Sequence, residues 1–168
     1  LAAGSTTVKV SSPPDHTAQR RAKPVWQRLM PDTQNTVEYR PDVMDATVDE
    51  LIANADALNI EAVVHLGDVV DDSGDAVQYN NAKDIFYQLP EAGMKFLVQP
   101  GNHDNWAGNG SSYWHYFGQD SKEYMALTSS YLTPKAWSGA MFVDAGSYTY
   151  MIISLACEGG KTSWNPTS

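Results

Sequence analysis

At 168 residues the chain is long enough for one core of its own, so a mini-protein scaffold held together by disulfides or a metal is excluded. Acidic residues number 20 against 11 basic ones, a net charge of −9, which argues against a nucleic-acid-binding surface of clustered Lys and Arg. A single cysteine, Cys157, excludes an internal disulfide and is read as a small core residue. No run approaches the roughly 18 apolar residues of a membrane span.

Residues 1–24 hold Lys9, Arg20, Arg21 and Lys23 against Asp15 alone and are broken by Ser11-Ser12-Pro13-Pro14. They read as an edge strand or a solvated basic arm. Residues 25–30 form a short alternating strand that ends at Pro31 and runs into a loop, residues 31–35. From residue 41 to 58, Val43, Met44, Val48, Leu51, Ile52, Ala55 and Leu58 recur at helical spacing, with Pro41 tolerated in the first turn. Residues 62–66 are a β-branched run closed by Gly67-Asp68, as in a buried parallel strand. His65 falls within it and reads as a satisfied core histidine. Residues 75–91 form a second amphipathic helix ended by Gly93, and residues 95–98 a third strand closed by Pro100-Gly101-Asn102-His103-Asp104.

This β-α-β-α-β order predicts an α/β fold with a parallel sheet joined by right-handed crossovers. Beyond Asp104 a long loop with a short helix carries Trp106, Tyr113, Trp114 and His115, which either wall a pocket or pack under the loop. Residues 139–155 read as a C-terminal hairpin and residues 156–168 as a tail. The folded domain is thus expected over residues 25–155.

Three polar clusters stand at the ends of the three successive strands: Asp32-Thr33-Gln34, Gly67-Asp68 and Gly101-Asn102-His103-Asp104. Their spacing, 36 residues from Asp32 to Asp68 and 34 from Asp68 to Asn102, suits a βαβ unit of about 30 residues or more. Each unit returns the chain to the same carboxyl edge, where ligands of α/β sheets bind. Two aspartates, two amides and a histidine then converge without a Ser or Cys nucleophile. Hard oxygen donors with an imidazole suit divalent Mn, Fe or Zn, and paired ions of that kind support hydrolysis of phosphate esters. Asp71, Asp72 and Asp75 are read as a solvated loop, with Asp75 as a helix N-cap.

Gly67-Asp68-Val69-Val70-Asp71-Asp72 followed by Gly101-Asn102-His103-Asp104 resembles the second and third sequence blocks of the calcineurin-like metallophosphoesterase family. Asp32-Thr33-Gln34 takes the place of that family's Asp-x-His, with Gln for His, as in a branch that resembles secreted bacterial phosphoesterases. The resemblance implies the N-terminal half of a four-layer α/β/β/α sandwich and two divalent metal ions. It also implies that Asp32 and Gln34 hold the first ion, Asp68 bridges, Asn102 holds the second, His103 protonates the leaving oxygen of a phosphate-ester substrate, and Asp104 orients the imidazole. The family completes its metal shell with a later strand-end His and a Gly-His-x-His block, and no histidine follows His115 here. A C-terminal remainder or a second chain is therefore expected to complete the site. The alternatives are a non-catalytic interaction module on the same fold and a carbohydrate-binding protein that uses Trp106, Tyr113 and Trp114.

Overall fold

The computed structural model describes residues 26–105, 111–128, 130–132, 138–145 and 147–155. The expected basic arm (residues 1–24), the tail (residues 156–168), Trp106 and Cys157 lie outside them.

The first sheet is parallel with order β1-β2-β3, built from β1 (Trp26–Met30), β2 (Ile60–His65) and β3 (Lys95–Val98). Its register pairs Met30 with His65 and His65 with Val98, so all three strands finish in one row. The loops that follow them therefore start level at a single edge. Between the strands come α1 (Gln34–Tyr39), α2 (Pro41–Ala53), α3 (Ala55–Leu58), α4 (Ala76–Phe86) and α5 (Gln88–Glu91). After a 3-10 turn, His103–Asn105, follow α6 (Ser111–Phe117) and α7 (Lys122–Leu127). An antiparallel sheet of β4 (Tyr131–Leu132), β5 (Ser138–Ala145) and β6 (Tyr148–Leu155) completes the described fold.

Side chains of a strand alternate between faces, and here the alternation sorts two cores. Val63, Phe96 and Val98 pack among the helices with Val37, Val48, Tyr79, Phe86, Tyr113 and Tyr124. Ala62, Val64 and Leu97 face the other way, onto Met141 and Val143 of the hairpin sheet. Helices, parallel sheet and hairpin sheet form three successive layers, as expected for half of the metallophosphoesterase sandwich. The outer face of the hairpin sheet shows Phe142, Met151, Ile153 and Leu155 to solvent.

Three expectations need correction. The stretch predicted as a loop after Pro31 begins α1, because the Asp32 carboxylate accepts the Gln34 N–H at 3.0 Å and Val37 anchors the turn in the core. The two long helices are each divided. Asn54 interrupts the first by turning its side-chain amide back onto the Glu50 carbonyl at 2.8 Å, a local bond that competes with the helix. Pro90 has no N–H to donate towards Phe86, and the second helix breaks at Tyr87. The loop beyond Asp104 contains two helices rather than one, and Tyr113 is core, fully buried against Phe117.

Candidate metal centre

Three loops leave the level edge of the parallel sheet: loop 1 (residues 31–33), loop 2 (residues 66–75) and loop 3 (residues 99–102). They meet at Asp68. Its main-chain carbonyl accepts the Thr33 N–H from loop 1 at 3.1 Å, and its carboxylate Oδ1 accepts the His103 N–H from the end of loop 3 at 2.8 Å. To face both, Asp68 adopts a left-handed backbone, φ 51°, which costs a residue bearing a Cβ on the order of 1–2 kcal/mol. Gly67 before it has φ 102°, and a Cβ there would lie 2.8 Å from the Gly101 Cα. A Cβ on Gly101 would lie 2.2 Å from the Asp68 Oδ1 and 2.3 Å from its nitrogen. The two glycines let loops 2 and 3 touch backbone to backbone, which is the physical reason both blocks begin with Gly.

Asp32 is exposed at the start of α1, and Asn102 is exposed at the tip of loop 3. Gln34 is half-buried, and its Oε1 is shielded from water with no hydrogen-bond partner. An unpartnered buried amide oxygen is costly, and a cation is the species that would satisfy it without a proton.

His103 is half-buried, with its Nδ1–H donating to the Asp71 main-chain carbonyl at 2.9 Å and the Asp71 Oδ1 at 3.2 Å. The carbonyl bond is the main influence holding its pKa above the ordinary value; partial burial opposes it, and the carboxylates of Asp68, Asp71 and Asp32 add to it. All three aspartates thus act electrically on one imidazole. With Nδ1 committed to Asp71, proton exchange with a ligand falls to Nε2.

Asp104 does something other than orient that ring. It is fully buried, and its oxygens accept the N–H groups of Val69, Val70 and Gly101 at 2.8–3.2 Å. Burial pushes its carboxyl up to about 6, while those three donors pull the other way. It clamps loop 2 to loop 3. The orienting group is Asp71, which the residues read as solvated loop; its N–H is held by the Gln78 Oε1 at 2.9 Å, so it is fixed rather than free in solvent. The only sequence signal for it was its place three residues after Asp68. Asp75 caps α4 as expected, accepting the Val77 N–H at 2.7 Å.

Among the described residues no three His, Cys, Asp or Glu side chains group as a metal site. The expected set has two carboxylates and two amides.

The calcineurin-like phosphoesterase family profile matches residues 31–165. The chain belongs to the calcineurin-like phosphoesterase family. That is a family of hydrolases that act on phosphate esters with divalent metal ions. The chain is also similar to the uncharacterized protein YvnB of Bacillus subtilis (strain 168), with 39% identity over 98 residues. That match takes in 57% of this chain and 7% of the relative, so the chain spans a small part of the curated protein it resembles. Among the described residues no helix is long and apolar enough to cross a membrane.

Proposed function

We propose that this chain hydrolyses phosphate monoesters or diesters with two divalent cations held by Asp32, Gln34, Asp68 and Asn102. The observation that carries the reading is the convergence of three strand-end loops on Asp68, which receives the Thr33 N–H on its main chain and the His103 N–H on its carboxylate. The shielded, unpartnered Oε1 of Gln34 fits a cation at loop 1. Bound cations would supply a hydroxide nucleophile at neutral pH and neutralise charge on the phosphoryl oxygens.

The residues of this chain supply the rest. His103, with Nδ1 tied to Asp71, gives its Nε2 proton to the leaving oxygen as the phosphorus–oxygen bond breaks. The bond from Nδ1 to the Asp71 carbonyl raises the imidazole pKa and so favours its protonated, donating form. Asp71 keeps the ring in the donating orientation, and Asp104 keeps loops 2 and 3 in register. Two carboxylates offset only part of the charge of two dications, so we infer that further donors come from outside these residues, from a C-terminal remainder or a second chain.

The test uses the full chain loaded with Mn, Fe or Zn and assayed on p-nitrophenyl phosphate and its bis ester. The expected result is bound metal and hydrolysis, both lost by about two orders of magnitude or more in Asp68→Asn, since the set that would hold the cations loses one of its two carboxylate charges. Unchanged metal content and rate in that variant would overturn the proposal. If the protein that also carries those outside donors binds no metal and cleaves neither ester, the reading fails and an interaction module on this fold takes its place.

A further inference from the structure

One buried polar group has no place in the chemistry above. His65, the last residue of β2, is fully buried, with its ring edge-on to Phe86 at 5.2 Å. An imidazole in an apolar core is tolerated when both ring nitrogens are hydrogen-bonded, and here both are. Nδ1 accepts the Gly67 N–H at 3.1 Å. A main-chain N–H can only donate, so in the neutral ring the proton sits on Nε2, which donates to the Thr33 Oγ1 at 2.9 Å. The Thr33 hydroxyl is left to donate to the Val69 carbonyl at 3.4 Å, while the Thr33 N–H holds the Asp68 carbonyl at 3.1 Å. One His–Thr pair therefore touches Gly67, Asp68 and Val69 in succession. Those bonds flank the two left-handed residues of loop 2, and Thr33 stands between Asp32 and Gln34. Phe or Leu would fill the same core volume, so packing does not explain a residue with two directed ring bonds.

We propose that His65 and Thr33 form a positioning brace that fixes the backbone of Asp68 relative to the Asp32-to-Gln34 turn, and so sets the affinity of the cation site. The second half of that statement rests on the proposed function; the first does not. Neither residue touches substrate. Both act through the loops they join.

The experiment compares Thr33→Val, which keeps the shape and removes the hydroxyl, with Thr33→Ser, which keeps the hydroxyl, in the full chain. Mn²⁺ affinity is read by titration calorimetry, kcat and KM on p-nitrophenyl phosphate, and amide hydrogen exchange at Gly67 and at position 33. Thr33→Val is expected to weaken Mn²⁺ binding about 10–100-fold, the range for residues that orient ligands, and to speed exchange at Gly67 more than tenfold. Its kcat should fall while KM at saturating Mn²⁺ stays within about twofold. Thr33→Ser should restore all three. His65→Asn, whose Oδ1 can still accept the Gly67 N–H but whose amide cannot reach Thr33, should fall between them and serves if the valine variant does not fold. A folded Thr33→Val with wild-type exchange and wild-type Mn²⁺ affinity overturns the brace. A wild-type chain that binds no Mn²⁺ and hydrolyses nothing without the outside donors bears on the phosphoesterase reading and not on the brace, and the exchange rates then decide the brace alone: faster in Thr33→Val supports it, unchanged overturns it.

Discussion

Loops 2 and 3 are joined differently from loops 1 and 2. Between loops 2 and 3 the contact is main chain on main chain, Gly67 against Gly101, sealed by a buried carboxylate that takes three N–H groups. Between loops 1 and 2 the contact runs through Thr33, whose N–H meets the Asp68 carbonyl and whose hydroxyl meets the Val69 carbonyl, with His65 at the end of β2 donating to that hydroxyl. The first junction has no slack, because any added atom at Gly101 enters the space of Asp68. The second combines one main-chain bond with a side-chain hydroxyl, which moves by rotamer changes at lower cost. Asp68 and His103 are consequently held in place before any ligand arrives, while Asp32 in loop 1 and Gln34, the first residue of α1, are tied to loop 2 through the buried Thr33 between them. Preorganisation is concentrated on the side that places His103.

The largest effect should come from forcing the tight junction. Gly101→Ala puts a Cβ within 2.2–2.3 Å of the Asp68 carboxylate and nitrogen, so loop 3 must retreat or the left-handed turn must open. Destabilisation of about 3 kcal/mol is expected, at the upper end for overpacking, and is read as a lower urea midpoint with unchanged m. A midpoint equal to wild type would mean that the loops are not packed backbone to backbone. A smaller effect is expected from Asp71→Asn. The main-chain carbonyl that holds His103 remains, and only the carboxylate beside it loses its charge. A drop of about tenfold in kcat is expected, with metal content and KM near wild type. If metal content fell in step with kcat, Asp71 would belong to the cation site rather than to the imidazole.

Much of this was legible in the residues. The period-2 and helical patterns located all three parallel strands, and the spacing of the polar blocks placed them at one edge. Two things were hidden. Asp71 and Asp104 are both aspartates close to His103 in sequence or block, and composition cannot say which one reaches the ring. The left-handed turn at Asp68 decides it, by swinging the Asp71 carbonyl towards Nδ1 and the Val69 and Val70 N–H groups towards Asp104. Likewise α1 has six residues, too few for a periodic signal, and forms through Val37 in the core and the Asp32 carboxylate at its start. His65 was readable as a core histidine from its apolar run, but its link to Thr33 depends on a contact 32 residues away.

The smallest expected effect tests how well the side-chain junction is sealed. Burial holds the His65 pKa down, to about 3 against an ordinary 6.5, so the folded chain keeps the ring neutral where the unfolded chain protonates it. For a base depressed in this way the stabilising contribution is complete above about pH 6.5 and is lost as pH falls from there towards 3. His65→Phe keeps a ring beside Phe86 and has no proton to bind. Comparing urea midpoints of wild type and His65→Phe in chelator cancels the titration of every other group the two chains share. Between pH 7 and pH 5.5 the wild type should lose about 1 kcal/mol relative to the variant, since each pKa unit corresponds to about 1.4 kcal/mol and the window opens near 6.5. A stability difference that stays flat over that interval would show that His65 takes up a proton as readily in the fold as in the open chain. Water would then reach the ring, its two directed bonds would be exchangeable, and the loop 1 side of the centre would have no rigid anchor to contrast with the sealed junction of Gly67 and Gly101.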